Sequence, residues 1–308
     1  MAIRPPILQQ GDTVGVVTLG SPLDAQTIDT GVAGLQSFGF NVLLGRHVYD
    51  STGFLAGSDQ ERAADLMDMF RNPSVRLILP TRGGVGVSGI LPYLDYALIS
   101  RNPKLLSGYS DVTVLLNALY QISGLISLQS LMLLNFNKDT PSYDFEQFFT
   151  ATATLTAPRV IQNPPDVPLI SLVPGNVTGT LVGGNLTSFS DTLGTPYDIS
   201  TRGRILLLEE THEPINKVYR MLNRLKLAGK FNDCLGIVMG QCTACPSAYG
   251  QTYADLIRDV LMPLGKPLMA GLATAHGKFK AALPIGALVN LNTTENTLTV
   301  LEPTVAPR

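Results

Sequence analysis

Ser110 lies in a sequence pattern that could expose it as the nucleophile of a hydrolase. The apolar run from Leu105 to Ser107 predicts a short strand, residues 108–111 predict a tight turn, and a helix is expected from Val112 onward. A strand that reverses sharply into a helix exposes one side chain to the helix's unpaired N–H groups. Ser110 is therefore a candidate nucleophile, although the same serine could act only as the N-cap of the helix.

A serine nucleophile needs a base, and histidine is the usual one because its unperturbed pKa lies near neutrality. The chain contains three histidines, His47, His212 and His276. His47 follows a predicted strand and fits a surface position equally well. Pro214 prevents His212 from opening an H-E-x-x-H zinc helix. His276 lies in a loop of small residues, which suits a histidine that faces a cleft, although a merely exposed histidine gives the same pattern.

The third partner of such a pair is a carboxylate that orients the imidazole. Glu209 directly follows the apolar strand at residues 205–208. Functional groups collect at strand ends in open sheets, so Glu209 is the candidate. The neighbouring acids Glu210 and Glu213 also fit the first turn of a helix, where the helix dipole favours negative charge.

Strands and helices alternate in the first half of the chain. Strand patterns occur at residues 13–18, 40–44 and 75–80, and helical patterns occur at 26–38 and 59–70. This alternation predicts an α/β fold with an open, mostly parallel sheet that is covered on both faces. Residues 157–174 contain five prolines, which predict a loop that links two domains. The segments that follow are mostly strands, so a smaller, β-rich second domain is expected.

A glycine-rich loop follows the third predicted strand. Gly84, Gly86 and Gly89 satisfy G-x-G-x-x-G, a pattern of dinucleotide-binding loops. The loop does not lie in the first strand–helix unit, where that motif belongs. Because glycines allow a backbone to approach a ligand, we expect Gly83 and Gly84 to line the same crevice as Ser110. A non-catalytic nucleotide-binding module remains an alternative.

Composition narrows the class of partner. Charged residues make up 15% of the 308, with a net charge of -2, which argues against nucleic acid or a membrane surface and favours a small substrate. The N-terminus lacks the apolar core of a signal peptide, so a cytoplasmic location is expected. The chain has three cysteines, Cys234, Cys242 and Cys245. An odd and small number of cysteines argues against a disulfide framework, so we expect three thiols. The C-x-x-C spacing leaves a redox or metal role open.

Several ordered motifs carry a resemblance to a known family. They are Gly11-Asp12-Thr13, Gly53-Phe54-Leu55-Ala56-Gly57-Ser58-Asp59, Arg82-Gly83-Gly84, Gly108-Tyr109-Ser110-Asp111, Gly183-Gly184-Asn185-Leu186, Leu208-Glu209-Glu210, and His276 ahead of Leu283-Pro284-Ile285-Gly286. In these motifs the chain resembles the LD-carboxypeptidases, a serine peptidase family that includes muramoyltetrapeptide carboxypeptidases and microcin C self-immunity peptidases.

The resemblance implies a Ser110, Glu209 and His276 triad, with the backbone N–H groups of Gly84 and Asp111 as the oxyanion hole. It also implies a flavodoxin-like domain at residues 1–160, which carries the serine, and a β-rich domain at 175–308, which carries the other two residues. A homodimer without a metal or cofactor is expected.

The activity that the resemblance implies is hydrolysis of an L,D peptide bond, which releases terminal D-Ala from a small peptide, murein tetrapeptide, in cell-wall recycling. A related hydrolase that cleaves a peptidyl-nucleotide amide is the alternative, and the absence of tryptophan disfavours it. Val85 and Gly89 stand where family members often have an aromatic and a basic residue, so the acyl-side specificity does not follow from the motifs.

Overall fold

The structure is a computed structural model that describes residues 2–308. Its strands are β1 (Thr13–Val17), β2 (Asn41–Leu44), β3 (Val75–Pro80), β4 (Leu105–Gly108), β5 (Ser127–Gln129), β6 (Arg159–Ile161), β7 (Ile170–Val173), β8 (Asn176–Asn185), β9 (Arg204–Thr211), β10 (Gly236–Thr243), β11 (Leu268–Leu272), β12 (Leu283–Ile285), β13 (Leu288–Asn292) and β14 (Thr297–Val300). Its α-helices are α1 (Ala25–Ser37), α2 (Asp59–Arg71), α3 (Val87–Ile90), α4 (Tyr96–Arg101), α5 (Thr113–Ala118), α6 (Ser142–Thr152), α7 (Leu186–Asp191), α8 (Ile215–Leu227), α9 (Lys230–Asp233) and α10 (Tyr253–Leu256).

The chain divides into two compact units. The first runs to Leu155 and also contains Ala282–Gly286 and Pro303–Arg308. The second contains Thr156–Ala281 and Ala287–Glu302. Strand β12 and the C-terminal tail therefore belong to the first unit, whereas the sequence prediction assigned all of residues 175–308 to the second domain.

The first unit is built on a six-stranded sheet in the order β12-β5-β4-β3-β1-β2. The pairs from β2 to β5 are parallel, and β12 is antiparallel to β5 at the edge. The order 2-1-3-4-5 is that of flavodoxin-like folds, so the predicted fold class is confirmed. The apolar side chains of β1 and β3 are buried in the core, which explains why their sequences read as continuous hydrophobic runs.

The second unit contains an eight-stranded sheet in the order β6-β14-β13-β8-β9-β10-β11-β7. Strands β8 to β11 are parallel neighbours, and the outer strands pair in antiparallel fashion. This sheet confirms the prediction of a β-rich second part. Among residues 2–308, none of the helices combines the length and the apolar character that a membrane crossing requires.

The prediction that residues 157–174 form only a loop is wrong. Strand β6 pairs with β14, and β7 pairs with β11. Both strands lie at the outer edges of the sheet. Neither strand contains a proline; Pro158 precedes β6, and Pro168 and Pro174 flank β7. The prolines therefore bound these short strands without preventing them.

Candidate active site

Ser110 lies on the predicted strand–turn–helix. It follows β4, opens a short 3-10 turn at Ser110–Val112, and that turn leads into α5. The φ angle of Ser110 is 64°, in the left-handed region that non-glycine residues rarely occupy. Such strain persists only where surrounding packing imposes it, and it is typical of functional positions. The backbone turns sharply here and leaves the serine partly exposed.

The glycine loop, which we define as residues 83–86, packs directly against this serine. A Cβ built on Gly83 would lie 2.7 Å from Cβ of Ser110 and 3.0 Å from the amide N of Asp111. Only glycine allows this approach. On its other side the loop contacts Ser21, whose N donates to O of Gly83 (3.2 Å) and whose hydroxyl accepts from N of Val85 (3.1 Å). The loops after β1, β3 and β4 thus meet at the carboxyl edge of the sheet, as expected.

The carboxylate of Asp111 accepts a hydrogen bond from N of Val87 (2.7 Å). Val87 is the first residue of α3, which has only four residues. In a dinucleotide-binding loop this helix N-terminus would face the pyrophosphate. A phosphate at this position would meet a carboxylate of the same charge, so the geometry disfavours the nucleotide-binding alternative for Gly84, Gly86 and Gly89.

Glu209 and His276 form a hydrogen-bonded pair in the second unit. Nδ1 of His276 lies 2.8 Å from Oε2 of Glu209. The glutamate side chain is 1% exposed, whereas the imidazole is 16% exposed. Because a carboxylate can only accept, Nδ1 carries the proton, and Nε2 is left as the basic nitrogen. This arrangement orients an imidazole as a general base.

The local structure fixes both members of the pair. Glu209 lies on β9, which is paired on both sides, by β8 and β10. His276 follows Ala275, whose φ is 56°, in a loop that is closed at its neck by the bond from N of Ala281 to O of Ala273 (2.8 Å). A central strand and a closed loop are rigid supports, which suits a group that must hold its geometry.

Buried polar groups surround the glutamate. Glu210, on the opposite face of β9, accepts from Asn185, Thr187 and Thr211, and burial raises its pKa. The hydroxyl of Tyr253 donates to O of Gly240 (3.2 Å), and burial, together with the nearby carboxylates, raises its pKa. Within residues 2–308, Oε1 of Glu209 is buried without a hydrogen-bond partner. Buried oxygens of this kind commonly bind an ordered water.

The other two histidines have different surroundings. Nδ1 of His47 lies 2.7 Å from a carboxylate oxygen of Asp50, which is half exposed, and that hydrogen bond raises the pKa of His47. Nδ1 of His212 lies 2.7 Å from the hydroxyl of Thr211. In the described part of the chain, His276 is thus the histidine whose ring nitrogen bonds a buried carboxylate, whereas His47 reaches the buried Asp65 only through its backbone N–H. No cluster of three or more metal-ligating His, Cys, Asp or Glu side chains occurs among residues 2–308.

The expectation of three thiols is wrong. Cys242 and Cys245 form a disulfide at the end of β10, and Cys234 is free and buried. A separation of three residues lets the two sulfurs meet when the chain turns directly after a strand. A small, odd number of cysteines argues against a framework of several bridges, but it does not exclude a single local pair.

Sequence reasoning missed Ser21 and Arg62, which both contact the glycine loop. The serine carries no sequence signal, because a serine in a loop is ordinary. Arg62 did carry one, since it precedes Leu66 by four residues and therefore falls on the apolar face of α2.

The chain belongs to the LD-carboxypeptidase family. The sequence profile of the LD-carboxypeptidase N-terminal domain matches residues 14–130, and that of the C-terminal domain matches residues 178–291. The resemblance drawn from the motifs is therefore confirmed.

Named relatives support a carboxypeptidase role. The chain is 36% identical to a probable murein peptide carboxypeptidase of Bacillus subtilis, an alignment that covers 96% of this chain and 94% of the relative. It is similar to the crystal structure of muramoyltetrapeptide carboxypeptidase from Oxalobacter formigenes, with a TM-score of 0.80, 26% identity, and coverage of 96% and 100%. The fold is also that of the microcin C7 self-immunity protein MccF, with a TM-score of 0.91, 24% identity, and coverage of 99% and 100%.

Proposed function

We propose that this protein is a serine carboxypeptidase that hydrolyses an L,D peptide bond and releases terminal D-Ala from murein tetrapeptide in cell-wall recycling. The observation that carries the proposal is the hydrogen bond of 2.8 Å between His276 and the buried Glu209. Membership of the family and the names of the relatives support the substrate class.

In this mechanism Ser110, Glu209 and His276 act as a triad. Nε2 of His276 takes the hydroxyl proton of Ser110 as Oγ attacks the carbonyl carbon of the scissile bond. The imidazolium then gives the proton to the amine of D-Ala, which leaves. Water, activated by the same imidazole, hydrolyses the acyl-enzyme and releases the tripeptide.

The negative oxygen that forms on the carbonyl carbon needs preorganised donors. We assign this role to the backbone N–H groups of Gly84 and Asp111. The closeness of Gly83 to Ser110 and to the amide of Asp111 supports this assignment. Loss of one such donor raises the barrier by about 3 kcal/mol in other hydrolases.

The test is mass spectrometry of murein tetrapeptide after incubation with the parent protein and with Ser110→Ala. Loss of one alanine with the parent only is the expected result. Cleavage by both proteins would refute Ser110 as the nucleophile. If neither cleaves the tetrapeptide while the parent cleaves a peptidyl-adenylate, the substrate assignment is wrong and the second family activity replaces it.

The cytoplasmic location and the homodimer are part of the same proposal, and the resemblance to the family supports the dimer. Light scattering on the purified protein and fractionation of the source cells test them. A monomer at micromolar concentration, or recovery of the protein outside the cytoplasm, would refute the corresponding statement.

A further inference from the structure

The first unit contains a completely buried arginine. Arg62, on α2, is 0% exposed. A guanidinium that leaves water loses a large hydration energy, so a buried one persists only where several acceptors surround it. Burial lowers the pKa of Arg62, but the group stays charged at any ordinary pH. The mechanism proposed above gives this arginine no part.

The acceptors of Arg62 come from three different loops. Nη1 donates to O of Gly86 (2.8 Å) and to O of Leu19, and Nε donates to O of Gly57 (3.3 Å). Leu19 follows β1, Gly57 precedes α2, and Gly86 follows β3. Nη2 forms an ion pair with Asp59. One planar group therefore ties three loops of the sheet's carboxyl edge together.

The carbonyl of Gly86, which accepts from Arg62, belongs to the glycine loop. Ser21 holds the loop through Gly83 and Val85, and Arg62 holds it at Gly86. Gly83, the first residue of the loop, also packs on Ser110. The loop is thus held at both ends, and one of these ends contacts the candidate nucleophile.

We propose that Arg62 is a positioning residue that sets the distance between the Gly84 N–H group and Ser110. The inference rests on the proposed function, because it assumes an oxyanion hole in the glycine loop. Catalytic donors must be held within a fraction of an ångström of their position to stabilise a transition state. The planar guanidinium, whose donors point in fixed directions, holds neighbouring backbone more precisely than a flexible side chain with a single donor group.

The geometry also explains why arginine and not lysine occupies the position. Three of its nitrogens donate in fixed directions, to carbonyls on different loops and to a carboxylate. A lysine ammonium presents its donors from a single point and would have to give up at least one loop.

Arg62→Lys separates positioning from folding, because it keeps the charge and part of the bonding. We expect its kcat for D-Ala release from murein tetrapeptide to fall about 10- to 100-fold, with KM within about threefold of the parent value. A purely structural role predicts a lower melting temperature and a smaller active fraction, but an unchanged kcat per correctly folded molecule, counted by native-state NMR or analytical chromatography.

The matched control is Arg71→Lys on the same helix, because the side chain of Arg71 is 53% exposed and bonds only to Asp68 within the described residues. It should leave kcat and KM unchanged. If Arg62→Lys does not fold, Asp59→Asn is the second variant, since it removes the ion pair and leaves the carbonyl contacts. It should lower kcat about 3- to 10-fold without a change in KM.

The outcomes are distinguishable. A parent that releases D-Ala, together with folded variants at Arg62 or Asp59 that match its kcat, overturns the role of Arg62 and leaves the proposed function intact. A parent that cleaves no murein peptide overturns the proposed function, and the role of Arg62 in it falls as well.

Discussion

Oε2 of Glu209 and Nδ1 of His276 lie 2.8 Å apart, although 67 positions separate the two residues in the chain. The distance is that of a charge-assisted hydrogen bond. The carboxylate is buried and the imidazole is partly exposed, so the histidine is oriented by a group that solvent does not reach.

Glu209→Gln should lower kcat by about 10²- to 10⁴-fold with little change in melting temperature. The amide keeps the shape of the side chain but can donate to Nδ1, which selects the wrong tautomer of His276. Release of D-Ala from murein tetrapeptide measures the effect, and ¹⁵N NMR of the imidazole reports the tautomer.

The matched control for this change is Glu295→Gln, which alters an exposed acid in the turn between β13 and β14. It should leave turnover at the parent value. A Glu209→Gln variant that hydrolyses the substrate at the parent rate would remove Glu209 from the proposed triad.

Gly84 and Gly11 offer a matched pair for the glycine loop. Their φ angles are 80° and 86°, so an alanine at either position pays about the same backbone cost of about 1–2 kcal/mol. A Cβ on Gly84 would collide with the side chain of Ser21, whereas one on Gly11 would meet nothing within 4 Å.

We therefore expect Gly84→Ala to lose more stability than Gly11→Ala, because its Cβ also collides with Ser21, and we expect only Gly84→Ala to lose about 10- to 10³-fold in kcat per folded molecule. Thermal unfolding and D-Ala release on the same preparations give both quantities. Equal turnover in the two variants would argue against a part for the glycine loop in catalysis.

The sheet of the first unit was predictable where its strands are long and apolar. β1 and β3 have five and six residues and read as continuous hydrophobic runs. β5 and β12 have three residues each, too few to show a period, and their partners lie far away in sequence. Their pairing follows from tertiary contacts that local sequence does not contain.

The candidate residues came from residue type and position in the sequence, which do not contain the geometry of the site. Adjacent acids on a strand point to opposite faces, and nothing in the sequence tells which of Glu209 and Glu210 faces the histidine. In the structure Glu209 contacts His276, and Glu210 instead accepts bonds from Asn185 and Thr187. The left-handed φ of Ser110 was equally hidden, because only glycine and asparagine signal that conformation in a sequence.

Lys104 should make the stability of the protein rise with pH above neutrality. Its side chain is buried and Nζ donates to O of Asn72 (2.6 Å) and Val75 (2.7 Å). Burial, with a smaller contribution from the charge of Arg76, lowers its pKa to about 8. In the unfolded chain the pKa returns to about 10.4.

Between these two values the unfolded chain binds more protons than the folded one, so the free energy of unfolding increases with pH. The increase contributed by Lys104 is at most about 1.4 kcal/mol per pH unit, and it is absent below about pH 8, where both states are protonated. Urea unfolding of the parent and of Lys104→Met from pH 7 to pH 10 measures it.

The curves of unfolding free energy against pH for the parent and for Lys104→Met should diverge above pH 8, because the variant lacks this titrating group. A constant difference in stability between the two proteins at neutral pH does not affect this comparison. Lys138→Met, at an exposed lysine of the same unit, should run parallel to the parent. Parallel curves for the parent and Lys104→Met would show that Lys104 titrates normally.

The pairing of Cys242 with Cys245 predicts one reactive thiol per chain before reduction and three after it. Iodoacetamide in denaturant, followed by intact mass measurement, counts them. In the native protein the remaining thiol should also resist the reagent at neutral pH, because Cys234 is 1% exposed and burial raises its pKa to about 11.

Cys242→Ser supplies the control for the count, since it leaves Cys245 without its partner. That variant should add two carbamidomethyl groups in denaturant without reductant, at Cys234 and Cys245. Three adducts on the unreduced parent protein would mean that the bridge does not form in solution, and the expectation of three thiols would then be correct. One adduct before reduction would place a local disulfide at the end of β10, the strand beside the one that carries Glu209.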